Sequence, residues 1–342
     1  MCCPGRLIRF RTGQDIVRGS EAAFLLSETE RRLRKGMKME ALLIDIQRGS
    51  LNDGPGIRTT FFLKGCPLRC SWCHNPESQK AAPQLSFHRE RCTLCGRCRE
   101  ICPARVHRME PDRASHQVDF EDCLKCGACA AVCPANAMKV IGRACTPEEA
   151  VEIAVKDREF YEQSGGGVTL SGGEPLTQPD FSAAFLSLCQ DEMMHTCMET
   201  SGYAGKAAVE KVLPYVDLFY FDWKVSTEEL AGEYLGVPLA PILENLKLLC
   251  RAGKEVVLRC PIIPGVNDRE AHFRKILSLL EEFPGIQEAQ LLPYHDFGTG
   301  KSRNIGRQPS VFPVPSREEK EEWEAWFSQS GAAGAKRVRL AG

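Results

Sequence analysis

The chain reads as an α/β fold: a partial (β/α)6 barrel with a small cysteine-rich α+β domain inserted after its first strand. Three observations predict it. Strand-like and helical segments alternate from about residue 146 onward, the pattern of right-handed βαβ units around a parallel sheet. Polar residues follow every strand, and α/β barrels collect their chemistry at that end. Over residues 83–142 the alternation gives way to short cysteine loops, the texture of a segment held by metals rather than by an apolar core.

The elements follow in order. Residues 1–38 form a basic extension with nine Lys/Arg against four Asp/Glu. Ser20 is placed to cap a helix there. The extension reads either as a docking arm or as a dispensable leader, because Met37 and Met39 directly precede a strand-like run at 41–46. Residues 39–82 then supply the first part of the barrel. Asn52-Asp53-Gly54-Pro55-Gly56 is a turn by composition, and 58–63 is a β-rich run of strand length. Residues 143–342 complete the barrel. Thr146-Pro147-Glu148-Glu149 is a helix start. Strands are predicted at 168–170, 195–199, 218–221, 256–258 and 289–292, with helices at 181–188, 242–251 and 273–282. With the strand ending at Leu63, that makes six.

Bulk properties narrow the class. The 342 residues are 43% hydrophobic and 26% charged with a net charge of -1, ordinary globular values that do not suggest nucleic acid. No apolar run reaches the ~18 residues of a transmembrane helix, and the start lacks the basic, apolar, small-residue order of a secretory signal. A cytoplasmic protein off the membrane is expected. Its eighteen cysteines then read as metal ligands rather than disulfides, in an anaerobic setting.

Cys66-x3-Cys70-x2-Cys73 follows the first strand directly. Three thiolates cannot fill the four corners of a cubane iron–sulfur cluster, so one iron stays open to a non-protein ligand, as a catalytic zinc site keeps one position free. The spacing differs from ordinary ferredoxin runs. A structural zinc site is the alternative, with His74 as the nearest fourth ligand.

The run Cys66-x3-Cys70-Ser71-Trp72-Cys73 resembles the signature of radical S-adenosylmethionine (SAM) enzymes. Asn52-Asp53-Gly54-Pro55-Gly56-Ile57-Arg58, Cys73-His74-Asn75-Pro76 and Ser164-Gly165-Gly166-Gly167-Val168-Thr169-Leu170-Ser171-Gly172-Gly173-Glu174-Pro175 resemble the activating enzymes of glycyl radical enzymes, typified by pyruvate formate-lyase activase. The likeness runs from about residue 40 almost to the end. It implies a TIM-like radical SAM barrel in which SAM chelates the open iron of a [4Fe–4S] cluster. Reductive cleavage of SAM then yields a 5′-deoxyadenosyl radical that takes a hydrogen from one glycine of a partner enzyme. No acid or base is required, and none is assigned. The partner, and a reductase such as flavodoxin or ferredoxin, are implied, with the chain itself a monomer.

Two further runs, Cys92-x2-Cys95-x2-Cys98-x3-Cys102-Pro103 and Cys123-x2-Cys126-x2-Cys129-x3-Cys133-Pro134, resemble the two-cluster bacterial ferredoxins, in which the fourth cysteine serves the other cluster. That implies Cys92, Cys95, Cys98 and Cys133 on one auxiliary [4Fe–4S] cluster and Cys123, Cys126, Cys129 and Cys102 on the other. Three clusters in all are expected. Zinc sites, or clusters that serve folding alone, are the alternatives. Pyruvate formate-lyase activase lacks such an insert. The remaining cysteines read as buried small hydrophobes.

The resemblance also distributes roles at the strand ends. Gly172, Gly173 and Glu174 are expected at the ammonium of SAM. Trp72, His74, Thr200, Asp222, Trp223, Lys224, Arg259 and His295 are expected around the rest of the cofactor. Glu199, Thr200 and Asp222 are candidates for a monovalent cation, hard oxygen donors being suited to it. Asp53 and Arg58 are expected to face the partner's glycine loop. Outside this family reading stand a radical enzyme acting on a small molecule or peptide, a ferredoxin-like electron carrier, and a structural zinc protein.

Overall fold

Apolar residues on both faces of its strands bury the sheet that organises this chain. The computed structural model describes residues 39–341 apart from 111, 113 and 114. The extension over residues 1–38 and its predicted helix lie outside the described residues. In chain order the strands are β1 (Ala41–Ser50), β2 (Arg58–Leu63), β3 (Gln84–Phe87), β4 (His107–Glu110), β5 (Ser115–Val118), β6 (Met138–Ile141), β7 (Arg143–Cys145), β8 (Gly167–Gly172), β9 (His195–Thr200), β10 (Leu218–Asp222), β11 (Glu255–Ile262), β12 (Ile286–Pro293) and β13 (Val338–Leu340).

Nine of them form one sheet in the order β13-β12-β11-β10-β9-β8-β2-β1-β7. From β2 through β8, β9, β10, β11 and β12 to β13 every pairing is parallel. All six predicted barrel strands are present in that run. Strand β1 pairs antiparallel with β2 and, on its other side, with β7. The outer strands β7 and β13 do not pair with each other, so the sheet stays open.

The connecting helices are α1 (Arg97–Ile101), α2 (Ala128–Ala131), α3 (Pro147–Ala154), α4 (Arg158–Ser164), α5 (Pro179–Asp191), α6 (Lys206–Val212), α7 (Ala240–Arg251), α8 (Glu270–Glu282), α9 (Phe297–Asn304) and α10 (Arg317–Gln329). Helix α3 starts at the predicted place with a reciprocal cap. Thr146 Oγ1 accepts from Glu149 N at 3.2 Å, and Glu149 Oε2 accepts from Thr146 N at 3.1 Å. Two orphan donors are thereby satisfied.

One face of the sheet packs on helices; Phe61 of β2 meets Phe185 of α5 with ring centroids 4.8 Å apart. The other face is mixed. In register along it lie Phe62 with Ser171, Glu199 with Tyr220, and Asp222 with Arg259. Charged groups there are half-buried and therefore gain from partners.

Between β2 and β7 the chain makes two separate antiparallel pairs, β3 with β6 and β4 with β5. Leu85, Phe87, Val106, Ala137 and Met138 pack there against Cys98, Cys123 and Cys129. Met109, Val118, Phe120 and Val140, partly buried, pack against the same cluster. Asn304 Nδ2 stands 3.2 Å from His88 Nδ1, tying this segment to α9.

Candidate functional site

The loop after β2 carries Cys66, Cys70 and Cys73, all free. It is pinned at both ends. Cys66 N donates to Gln79 O at 3.1 Å, Ser71 N to Tyr234 O at 3.0 Å, and Cys73 N to Cys70 O at 3.1 Å. Burial pushes all three thiols up, Cys70 to about 12. Thiols held neutral in this way are poor nucleophiles, but a bound metal deprotonates a coordinating thiol outright. Three sulfurs and no fourth cysteine in the loop fit a cluster that keeps one corner for another ligand.

Aromatic groups wall the loop. Trp72 lies 5.7 Å from Tyr234 and 6.0 Å from Phe312, centroid to centroid. His74 meets His295 edge-on at 4.4 Å, and burial pulls the His74 ring down to about 4. Trp72 Nε1 is buried with no hydrogen-bond partner among the described residues, and so is Arg259 Nε. Buried orphan donors cost free energy until a ligand satisfies them.

The strand ends β8 to β11 converge beside this loop, though not every side chain points as expected. Gly173 N donates to Leu63 O and Glu174 N to Gly65 O, each at 2.8 Å. A β-carbon on Gly172 would collide with the Leu63 backbone, and one on Gly173 with the Gly65 carbonyl. The glycine pair is thus required by close packing on the exit of β2. The Glu174 carboxylate is fully buried. It accepts from Leu176 N (3.1 Å), Thr200 Oγ1 (2.7 Å), Ser201 N (2.8 Å) and Ser201 Oγ (2.5 Å). Burial pushes its carboxyl up, against four donated bonds that favour the ionised form. Glu174 clamps β8 to the end of β9, and its side chain has no spare oxygen aimed at a ligand.

Trp223 is likewise fully buried. Its indole donates to Ser226 Oγ at 3.1 Å and its N–H to Arg259 O at 2.8 Å, leaving only its carbonyl for the mouth. Lys224 and Asp222 pair at 2.7 Å. Burial alone would lower the Lys224 ammonium, but Asp222 and the neighbouring Cys70 and Cys73 outweigh it and hold it raised. Arg259 is ion-paired with Glu199 and lies over the Tyr220 ring at 5.4 Å. Ser171 Oγ also donates to Glu199. The three candidate cation ligands therefore each have a protein partner: Glu199 has Arg259, Thr200 has Glu174, and Asp222 has Lys224.

The 51–57 loop folds against β2 and β8. Asp53 Oδ2 accepts from Ser50 Oγ at 2.6 Å and Thr60 Oγ1 at 2.8 Å, and Asp53 O accepts from Thr169 Oγ1 at 2.7 Å. Arg58 is fully buried. It donates to Thr169 Oγ1 at 2.6 Å, Pro55 O at 3.1 Å, His195 O at 3.3 Å and Val168 O. Its guanidinium is not presented to any surface. Arg58 ties the loop to β8 and β9.

The two four-cysteine runs line two hollows. One is bounded by Cys92, Cys95, Cys98 and Cys133 with His116 and Met138. The other is bounded by Cys123, Cys126, Cys129 and Cys102 with His107 and Leu85. Each thus gathers the four cysteines paired in the sequence reading. The backbone repeats as well, with Leu94 and Lys125 both at φ 56 just before α1 and α2. Burial pushes Cys129 up to about 11.

Sequence reasoning missed Asn267, whose signal is only a polar residue after a Pro-Gly turn. It is buried at 1% exposure. Asn267 Oδ1 accepts from Ile263 N at 2.7 Å, while Nδ2 donates to Lys224 O at 2.8 Å and Pro261 O at 2.7 Å. It locks the β10 and β11 exits together. Lys301, which donates to Asn75 Oδ1 at 2.6 Å, was missed too; no local pattern marks it.

The radical SAM superfamily profile matches residues 60–277. Benzylsuccinate synthase activating enzyme of Thauera aromatica is 44% identical over 274 residues, covering 79% of this chain and 83% of that protein. Trans-4-hydroxy-L-proline dehydratase activating enzyme of Clostridioides difficile is 40% identical over 297 residues, covering 85% and 97%. Among solved structures, Streptococcus suis SuiB bound to precursor peptide SuiA superposes with a TM-score of 0.51 at 12% identity, over 98% of this chain and 57% of that one. This last likeness speaks to the fold. These findings favour the activating-enzyme reading over an electron carrier or a structural zinc protein. The chain belongs to the radical SAM superfamily and, within it, to the activating enzymes of glycyl radical enzymes.

Proposed function

We propose that this chain activates a glycyl radical enzyme from a single mouth at the carboxyl ends of β2 and β8–β12, with two auxiliary clusters behind it. A [4Fe–4S] cluster on Cys66, Cys70 and Cys73, once bound with SAM, supplies the electron that cleaves the sulfonium and frees the radical that takes the glycine hydrogen. The residues present do the rest. Trp72, Tyr234 and Phe312 shield one side, and the exposed rings of His74 and His295 border the other. Arg259 and Lys224 place positive charge beside the carboxylate of SAM, with Glu199 and Asp222 fixing their orientation. Gly172 and Gly173 contribute backbone, and Glu174 holds the β8 and β9 exits in place. A monovalent cation at Glu199, Thr200 and Asp222 requires those ion pairs to open when SAM enters.

Asp53, half-buried in its loop, is the partner-side residue, and Arg58 acts through the shape of that loop. The four-cysteine hollows each take a [4Fe–4S] cluster, matched to a flavodoxin or ferredoxin donor in the cytoplasm. No helix among the described residues is long and apolar enough to cross a membrane. The observation that carries the reading is three half-buried free thiols in one loop, beside two basic side chains held by acidic partners.

The test is anaerobic reconstitution, reduction and addition of SAM, followed by incubation with large enzymes encoded nearby. Methionine and 5′-deoxyadenosine should form, and one candidate partner should develop a glycyl EPR doublet. Absence of SAM cleavage in fully loaded protein would reject the proposal.

A further inference from the structure

His107 on β4 and His116 on β5 meet diagonally across that strand pair, His107 opposite Val118 and His116 opposite Met109, and join the two four-cysteine hollows. Both rings are buried, at 3% and 4% exposure. His107 Nδ1 lies 3.1 Å from His116 Nε2, and His116 Nδ1 lies 3.3 Å from Cys92 Sγ. His116 lines the hollow of Cys92, Cys95, Cys98 and Cys133, and His107 lines the other. His107 Nε2 has no hydrogen-bond partner among the described residues.

The proton order along this chain follows from chemistry. A metal-bound thiolate only accepts hydrogen bonds. His116 Nδ1 must therefore carry the hydrogen toward Cys92, which makes Nε2 of the neutral ring an acceptor. His107 Nδ1–H then donates to that Nε2, and His107 Nε2 is left as a buried lone pair. The orphan atom is the end of a one-directional chain that begins at a cluster ligand.

Building on the auxiliary-cluster reading, we propose that His116 is a tuning residue that makes the two auxiliary clusters unequal, with His107 as the residue that sets its tautomer. Hydrogen bonds to ligand sulfur stabilise the more negative, reduced cluster and so raise its potential. The cluster on Cys92 receives such a bond from His116. The matching register position in the other hollow is Leu85, which pairs with Val140 as His116 pairs with Met109 and donates nothing. The Cys92-side cluster is then the easier of the two to reduce, and the hairpin gives electron transfer between them a preferred direction. Cys98, His107 and His116 also place their ligand atoms within 4.8 Å of one another, so the same pocket offers a soft-metal site that competes with the cluster.

The test is potentiometric EPR titration of anaerobically loaded protein, with pulsed EPR on samples carrying 15N-histidine. In the wild type, one auxiliary cluster should show an imidazole nitrogen coupling and the higher potential. H116F should abolish that coupling and lower that one potential by about tenfold in its reduction equilibrium, which is ~59 mV for one electron. The other two potentials should hold. H107F should move it the same way by less, and H107N, whose amide can still donate to His116, should restore it. If H116F fails to load iron, the contrast between H107F and H107N decides alone. Three clusters with no coupling and no selective shift would overturn the proposal, as would zinc bound at Cys98 in freshly isolated protein. A wild type that holds only one cluster would instead reject the auxiliary-cluster reading itself.

Discussion

Gly298, in the first turn of α9, packs directly onto Cys73: a β-carbon at that position would collide with the Cys73 carbonyl oxygen. Lys301, one turn on, holds Asn75 from the same helix. The last ligand of the three-cysteine loop is thus positioned by a segment more than two hundred residues away. G298A should push α9 off the loop. Misplacing reacting groups by an ångström can cost about a hundredfold. SAM cleavage should fall by about that factor while far-ultraviolet circular dichroism stays at the wild-type level.

Alanine at Cys66, Cys70 or Cys73 should abolish SAM cleavage. Because the two hollows lie elsewhere in the chain, iron content should drop by only about a third, leaving two four-cysteine sites of the ferredoxin type. Iron analysis and product chromatography on the same sample check both halves of the statement.

The Glu199–Arg259 pair is largely buried, with side chains 16% and 14% exposed. Removing one member of such a pair strands the other, at a cost of about 3 kcal/mol. R259M should therefore lower unfolding stability by that order and weaken SAM binding. Removing both partners together, as E199M/R259M, should recover most of the stability but none of the binding. Denaturant melts and isothermal titration separate the two effects.

Arg58 satisfies several backbone and side-chain acceptors at the start of β8 and β9. R58M leaves these buried acceptors without donors and should cost about 3 kcal/mol. Disorder of the 51–57 loop should follow, read as protease cleavage near Asp53. Partner activation should fail even where SAM cleavage survives.

The Arg48 guanidinium, with help from Thr59, holds the Asp157 carboxyl below its ordinary 3.8 despite burial. A folded-state value lower than the unfolded one adds stability above the unfolded value and loses it as pH falls through the folded one. D157N should therefore be less stable than wild type at pH 7. The gap between them should close as the pH drops below about 4, in urea midpoints measured across that range.

The six parallel strands were legible because strands buried on both faces tend to read as apolar or β-branched runs, as in Val256-Val257-Leu258 and Val168-Thr169-Leu170. The cap on α3 was legible because Thr146 and Glu149 make a local, reciprocal contact. The cysteine groupings followed from spacing and family likeness, and the hollows gather the same sets. What was not legible lives in orientation. A glutamate after two glycines looks available to a ligand, yet Glu174 turns inward to four donors. An arginine next to an exposed turn looks solvent-facing, yet Arg58 runs beneath the loop. Residue type and spacing do not encode which neighbour a side chain reaches when the partner lies over a hundred residues away. Strands β7 and β13 were missed for a related reason: three residues each carry too little periodicity to register.

Those two brief outer strands carry a consequence of their own. An unclosed sheet leaves rows of unpaired backbone groups, a template on which other molecules could stack. Here each outermost strand is only three residues long, and each bears arginine, Arg143 on one and Arg339 on the other. Cationic, abbreviated borders discourage fibre growth, so the gap can remain unsealed without inviting self-association through it.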